Sequence, residues 1–161
     1  MRFAASALET DDKPTFYADL GRQLSALIDG ETDRIANLAN AAALIHDQVP
    51  DLNWSGFYLL QGEELVLGPF QGKPACVRIP LGQGVCGTAA ASRQTLRVAD
   101  VHTFPGHIAC DTRSRAELVV PLIAGDRLLG VLDLDSPTAA RFDCEDETGL
   151  QHLADLLAQH L

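Results

Sequence analysis

The sequence predicts an α+β fold, in which a central, mainly antiparallel sheet carries the N- and C-terminal helices on one face. Three observations lead there. Apolar residues recur at three- and four-residue intervals up to Pro50 and again after Asp143, which is the helical period. Between Asn53 and Pro137 the texture changes to short β-branched, aromatic and leucine runs of period two, punctuated by Gly and Pro. Tight turns join those runs, so neighbouring strands run antiparallel, and a terminal helix with one apolar stripe must bury it on a sheet face.

In chain order, Asp11, Asp12 and Pro14 make a helix start, and Phe16, Leu20, Leu24 and Leu27 follow at helical spacing. Gly30 breaks this helix. Thr32 is the expected cap of a second helix, whose stripe is Ile35, Leu38, Ala42, Ile45 and Val49 until Pro50 stops it, so the N-terminal helices cover about 14–49. Strands over Trp54–Leu60 and Leu65–Leu67 flank a turn at Gln61, Gly62 and Glu63, and a third covers Val77–Ile79. Leu81–Gly84 reads as a flexible corner, Val85–Ser92 as a short Ala-rich helix and Leu96–Val98 as a strand. Ala99–Arg115 is a long polar connection, and connections of that length within compact domains are often functional. Glu117–Ile123 and Leu128–Leu134 form a hairpin about Ala124–Arg127. Asp143 caps a last helix over about 143–161, with Leu150, Leu153, Leu157 and Leu161 on one face. No internal repeat or low-complexity tract interrupts this order, and 1–161 is expected to be one domain, with the sheet and its loops over about 53–137.

The 161 residues include 12 Lys plus Arg against 22 Asp plus Glu, a formal net charge of −10. Affinity for nucleic acid or anionic lipid rests on clustered cations, so both are disfavoured as partners. No run of about eighteen apolar residues exists, and Met1–Asp12 lacks the plan of a secretion signal. A soluble cytoplasmic protein is the expectation.

In a reducing compartment the four cysteines, Cys76, Cys86, Cys110 and Cys144, are left with core packing, metal ligation or reactive chemistry. Cys110 lies in the long polar connection beside Asp111 and close to His107, Arg113 and Arg115, where nearby cations favour the nucleophilic thiolate. Cys76 precedes a strand, behind a Gly-Lys-Pro turn. Cys86 suits core packing as well as function, and Cys144 carries no functional signal. His102, His107 and Cys110 cluster in sequence, but no paired C-x-x-C or H-E-x-x-H spacing is present and the cysteines lie 10, 24 and 34 residues apart. No metal and no cofactor are expected. Ser55 is outside any G-x-S-x-G elbow, and Gly82-Gln83-Gly84 does not make a phosphate loop.

Strand alternation puts Trp54 and Tyr58 on one face, and likewise Asp133 and Asp135, a pair of carboxylates ending an otherwise apolar strand. Capping of the turn before Ser136 and Pro137 is the competing role for either. Glu117 and Asp133 stand on opposing strands at about the same distance from the Gly125-Asp126 turn. Three carboxylates in one pocket repel one another, so at least one holds a proton near neutral pH or the set binds a cation.

Several stretches resemble the free methionine-(R)-sulfoxide reductases, small enzymes built on a single GAF domain. They are Asn-Trp-Ser-Gly-Phe-Tyr-Leu-Leu (53 to 60), Leu-Gly-Pro-Phe-Gln-Gly-Lys-Pro-Ala-Cys-Val-Arg-Ile-Pro (67 to 80), Gly-Val-Cys-Gly-Thr-Ala (84 to 89), Asp-Val-His-Thr-Phe-Pro-Gly-His-Ile-Ala-Cys-Asp (100 to 111), Glu-Leu-Val-Val-Pro-Leu (117 to 122) and Gly-Val-Leu-Asp-Leu-Asp-Ser-Pro (130 to 137). The resemblance implies a GAF-like fold, Cys110 as the attacking cysteine, Cys76 as the main resolving cysteine and Cys86 as a second redox-active or auxiliary thiol. It implies that Trp54 and Tyr58 line the substrate pocket and that Glu117, Asp133 and Asp135 hold and polarise the substrate. Free methionine sulfoxide, a thioredoxin-type reductant and a second copy in a homodimer are the implied partners. A disulfide between Cys76 and Cys110 needs their Cα atoms within about 7 Å. The alternative is a ligand-binding or thiol redox-sensing GAF module that releases no methionine from the sulfoxide.

Overall fold

The computed structural model describes residues 4–8, 10–108 and 110–161. Met1, Arg2, Phe3 and Glu9 of the N-terminal stretch and Ala109 of the 99–115 connection lie outside the described residues. Helices α1 (Lys13–Ile28) and α2 (Arg34–Gln48) lead into strands β1 (Trp54–Gln61), β2 (Glu64–Gly72) and β3 (Arg78–Pro80). Helix α3 (Gly84–Ser92), strand β4 (Leu96–Val98), a 3-10 turn at Val101–Thr103, strands β5 (Ala116–Ala124) and β6 (Arg127–Ser136) and helix α4 (Cys144–Ala158) follow. The six strands form one sheet of order β3-β2-β1-β6-β5-β4, antiparallel throughout. The expected α+β architecture is present.

Helix α1 starts where the sequence places it, since the Asp12 carboxylate accepts from the Thr15 N–H at 3.1 Å. Its buried stripe is Tyr17, Leu20, Leu24 and Ile28, with Phe16 and Leu27 only half-buried. Tyr17 can turn inward because its hydroxyl donates to the buried Asp146 Oδ1 at 2.7 Å. The cap of α2 is Asp33, which accepts from the Ala36 N–H at 2.8 Å, while the expected cap, Thr32, gives its own N–H to Glu31. Ile35 lies on the α2 stripe but in its first turn, where nothing covers it, and is 57% exposed.

The sheet divides two apolar cores. On one face Phe57, Leu118, Leu122, Leu132 and Leu134 pack under α1, α2 and α4. On the other, Trp54, Tyr58, Val119 and Val131 pack with Val85, Cys86, Ala89 and Ala90 of α3. The terminal helices thus cover one face, and α3 leaves part of the second face for a recess.

At 1% exposure Asp146 is the buried polar centre that ties α1 to α4. It accepts from Tyr17, from Lys13 Nζ at 2.7 Å, from Arg141 Nη1 at 3.2 Å and from the Asp143 N–H at 2.9 Å, the last completing a capping box. Two cations and two neutral donors satisfy this carboxylate, which offsets the cost of burying its charge. One turn on, Gly149 faces the Tyr17 ring so closely that a Cβ there would fall inside it. Gly149→Ala is therefore expected to destabilise the chain by about 1–3 kcal/mol through overpacking. Thermal unfolding reads this as a lower Tm, by about 2–4 °C per kcal/mol at this chain length.

Candidate active site

The second face of the sheet is built by rows of side chains across β1, β6 and β5. Trp54, Asp135 and Glu117 stand opposite one another, and Asp133 stands opposite Gly56 and Val119 in the next row. Glu117 is thus paired with Asp135, two residues beyond the Asp133 expected at about the same distance from the turn. The reason is a bulge: the β5–β6 register shifts between Leu122 and Ile123, and Leu129 is the extra residue beside Gly130. Only glycine fits at 130, because a Cβ there would strike the carbonyl oxygen of Tyr58 on β1. Without that bulge Glu117 would stand opposite Leu134, a residue of the helix-covered core.

Trp54, Glu117, Asp133 and Asp135 line a recess roofed by the first turn of α3, by Lys73, Pro74 and Ala75, and by His107, Ile108, Cys110 and Asp111. All eight site residues expected from the sequence, Trp54, Tyr58, Cys76, Cys86, Cys110, Glu117, Asp133 and Asp135, lie in or against it. Cys76 and Cys110 are joined by a disulfide with Cα atoms 5.7 Å apart, within the limit such a bond requires. Cys110 is exposed and Cys76 half-buried, so the sulfur pair sits at the mouth. Cys86, the third residue of α3, remains a free buried thiol, and Cys144 a free exposed one at the start of α4, remote in sequence and outside the recess lining.

Trp54 stacks on Tyr58 with ring centroids 5.9 Å apart and on Phe70 at 5.2 Å. Its Nε1 donates to the Lys73 carbonyl at 3.1 Å, and the Tyr58 hydroxyl donates to the Cys76 carbonyl at 2.9 Å. Both aromatics therefore shape the apolar wall and hold the 73–76 segment over it. Burial, with the charges of Asp133 and Cys86 next, pushes the Tyr58 hydroxyl up, so it stays a donor.

Glu117 is 6% and Asp133 5% exposed. The Cys86 thiol donates to Glu117 Oε1 at 3.7 Å, and Asp133 Oδ1 is buried with no hydrogen-bond partner. Burial pushes the Glu117 carboxyl well above the ordinary carboxylate range, and the charges of Asp133 and Asp135 push it further. Burial also raises Asp133, and burial together with Asp133 and Asp111 raises Asp135. Burial, followed by the same carboxylates, raises the Cys86 thiol, which makes it a poor nucleophile in this setting. The site favours binding positive charge and holding a proton.

The cations expected to favour a Cys110 thiolate are engaged elsewhere. Arg113 pairs with Asp111 at 3.0 Å and Arg115 with Asp100 at 3.2 Å. The Arg113 hydrogen bond holds Asp111 down at about 2. His107 reaches into the recess, 4.0 Å from Glu117 Oε2, and burial, then His102, lowers its pKa, so the ring is neutral. With Cys110 in a disulfide, the His102, His107 and Cys110 group is not a metal site in this state. A thiol and two carboxylates from Cys86, Glu117 and Asp133 do come within 4.8 Å of one another, the arrangement among the described residues that could hold an ion.

Two parts of the site were not legible in sequence. Asn53 donates to Asp111 at 3.1 Å and to Ser114 at 3.0 Å, fixing the loop after Cys110 to the start of β1 across a long separation. The first turn of α3 also lines the recess, and Gln83 at its N-cap gives that turn no side-chain hydrogen bond. The Gly82-Gln83-Gly84 corner before an Ala-rich run was the available signal for this donor array.

The GAF domain family model matches residues 23–161. A free methionine-R-sulfoxide reductase of Escherichia coli (strain K12) is 56% identical over 142 residues, 88% of this chain and 86% of the relative. One of Saccharomyces cerevisiae (strain ATCC 204508 / S288c) is 47% identical, over 81% of this chain and 77% of the relative. The crystal structure of the Neisseria meningitidis free methionine-R-sulfoxide reductase in complex with its substrate superposes with a TM-score of 0.94 at 44% identity, covering 99% of this chain and 95% of that one. By the family match, the identity over most of the chain and the shared fold, the chain belongs to the GAF domain family and, within it, to the family of the free methionine-R-sulfoxide reductases.

Proposed function

We propose that the protein reduces free L-methionine (R)-S-oxide to L-methionine, using Cys110 as nucleophile and Cys76 as resolving thiol, with a thioredoxin-type dithiol as the final reductant. The observation that carries this reading is the Cys76–Cys110 disulfide at the mouth of a recess lined by three carboxylates of raised pKa. In the reduced protein the Cys110 sulfur attacks the sulfoxide sulfur while a carboxylic acid protonates the departing oxygen. Glu117 fits that role, because burial and two neighbouring carboxylates keep its proton on near neutral pH. The oxygen moves to Cys110, which becomes a sulfenic acid, and methionine is released. The Cys76 thiol then displaces it as water, forming the disulfide. In sum, one sulfoxide and two thiols give methionine, one disulfide and one water, and exchange with the external dithiol restores both thiols.

Selectivity for the free amino acid follows from its two charges. The unpartnered Asp133 Oδ1, with Asp135 beside it, supplies acceptors for the ammonium. The uncapped N–H groups of the first turn of α3 are donors for the carboxylate. Within a polypeptide, the peptide bonds on its two sides remove both charges. Trp54, stacked between Tyr58 and Phe70, gives the methyl group a fixed wall. With methyl and oxygen positions both set, only one sulfur epimer turns its reactive face to Cys110. Cys86, buried and bonded to Glu117, acts as an auxiliary thiol. The reading further takes 1–161 as one working domain of a cytoplasmic homodimer. No helix among the described residues is long and apolar enough to cross a membrane.

Cys76→Ser tests the resolving step. The variant is expected to release one methionine per site in a single turnover and then stall with thioredoxin and its reductase. Full turnover with thioredoxin would remove Cys76 from the route.

A further inference from the structure

We propose that Cys86, Glu117 and Asp133 form a binding site for a thiophilic divalent cation of the zinc class, and that an ion held there excludes the substrate. The three residues come from three elements, α3, β5 and β6, and their ligand atoms lie within 4.8 Å of one another behind the mouth of the recess. With Zn–S and Zn–O bonds of about 2.3 and 2.0–2.2 Å, the edges of a tetrahedral zinc site measure about 3.3–3.6 Å. The Cys86 sulfur and Glu117 Oε1 stand 3.7 Å apart, close to that edge without rearrangement. An independent observation points to a cationic ligand: Asp133 is 5% exposed and its Oδ1 has no hydrogen-bond partner. Such an acceptor is costly to bury unless a donor or an ion meets it.

The donor set selects the metal. Magnesium and calcium require six or more oxygen ligands, whereas one thiolate with two carboxylates and one open corner suits zinc, cobalt or cadmium. The open corner faces the recess, where water completes the shell. Binding displaces the Cys86 thiol proton and the Glu117 carboxyl proton, both of which leave to solvent, and changes no oxidation state. Because Cys86 takes no part in the Cys76–Cys110 disulfide, the site persists in the oxidised protein. The exclusion half of the inference rests on the reductase reading, in which the substrate ammonium meets the same Asp133 oxygen.

The test uses the full chain with its disulfide intact, titrated with Co²⁺ and then Zn²⁺. One equivalent of Co²⁺ is expected to give a sulfur-to-cobalt charge-transfer absorption that Zn²⁺ abolishes. The band should persist in Cys144→Ser, vanish in Cys86→Ser, and need at least tenfold more metal in Asp133→Asn. Absence of the band in the wild type, or its loss in Cys144→Ser with survival in Cys86→Ser, overturns the site. If Cys86→Ser does not fold, as judged by circular dichroism, the wild-type and Cys144→Ser spectra with the Asp133→Asn titration decide. Free methionine should raise the apparent Kd for Co²⁺, and Co²⁺ that for methionine, by the same factor. Methionine that binds the protein yet leaves the cobalt band and its Kd unchanged would uphold the metal site and overturn the exclusion.

Discussion

Cys110→Ser is expected to lower methionine release by about 10³-fold or more while leaving the fold and the Tm of the reduced protein unchanged. A serine hydroxyl lacks the nucleophilicity of a thiolate, and nothing else in the recess replaces it. Cys86 is buried, its thiol proton is held by burial and by the carboxylates around it, and its sulfur is bonded to Glu117. Cys76 is half-buried, with its carbonyl tied to the Tyr58 hydroxyl. Cys110 alone of the three is exposed at the mouth, so little packing is lost in the variant. Chromatographic detection of methionine, with thiols counted before and after sulfoxide addition, measures the effect. Retention of wild-type release would move the nucleophile to another cysteine.

Glu117→Gln is expected to act in opposite directions on activity and stability. Loss of the proton donor should lower kcat by about 10²–10⁴-fold, the usual contribution of a general acid. Stability moves the other way, and its sign follows from burial. The folded-state pKa of Glu117 lies well above its ordinary 4.5, so above 4.5 the unfolded chain releases a proton that the folded chain keeps. Folding stability therefore falls as pH rises from 4.5 through the folded-state value. Glutamine has no proton to lose. The variant should melt above wild type near neutral pH and converge with it below 4.5. Asp111 and Asp143 contribute with the opposite sign, losing stability as pH falls from 3.8 to about 2, and they remain in both proteins. Thermal melts from below pH 3.8 up to neutral pH separate the two effects. A Glu117→Gln protein with unchanged kcat would transfer the proton-donor role to Asp133 or Asp135.

Most of this site was legible because its carriers lie on strands, where period-two alternation fixes the face. Trp54 with Tyr58, and Asp133 with Asp135, share the recess face as alternation requires. Glu117 reached the same face, but its partner did not follow from counting back to the turn. The bulge beside Gly130 changes the register by one residue, and what demands glycine there is the close approach of β1, a tertiary contact absent from local sequence. The same limit applies to the caps and loops. Thr32 and Asp33 are both good helix caps, and choosing between them depends on Glu31 taking the Thr32 N–H. Arg113 and Arg115 are near Cys110 in sequence, yet their charges go to Asp111 and Asp100. The cluster of Cys86 with Glu117 and Asp133 spans three elements, so no spacing rule could reveal it. The pairing of Cys76 with Cys110 was implied by the family resemblance, and the residues alone left other roles open.

The most direct test of the central claim is methionine formation from separated epimers of free methionine sulfoxide, supplied to the reduced protein with thioredoxin recycling. The account predicts stoichiometric and then catalytic release from the R epimer and none from the S epimer. Release from neither epimer by a folded, fully reduced protein, or equal release from both, would contradict it.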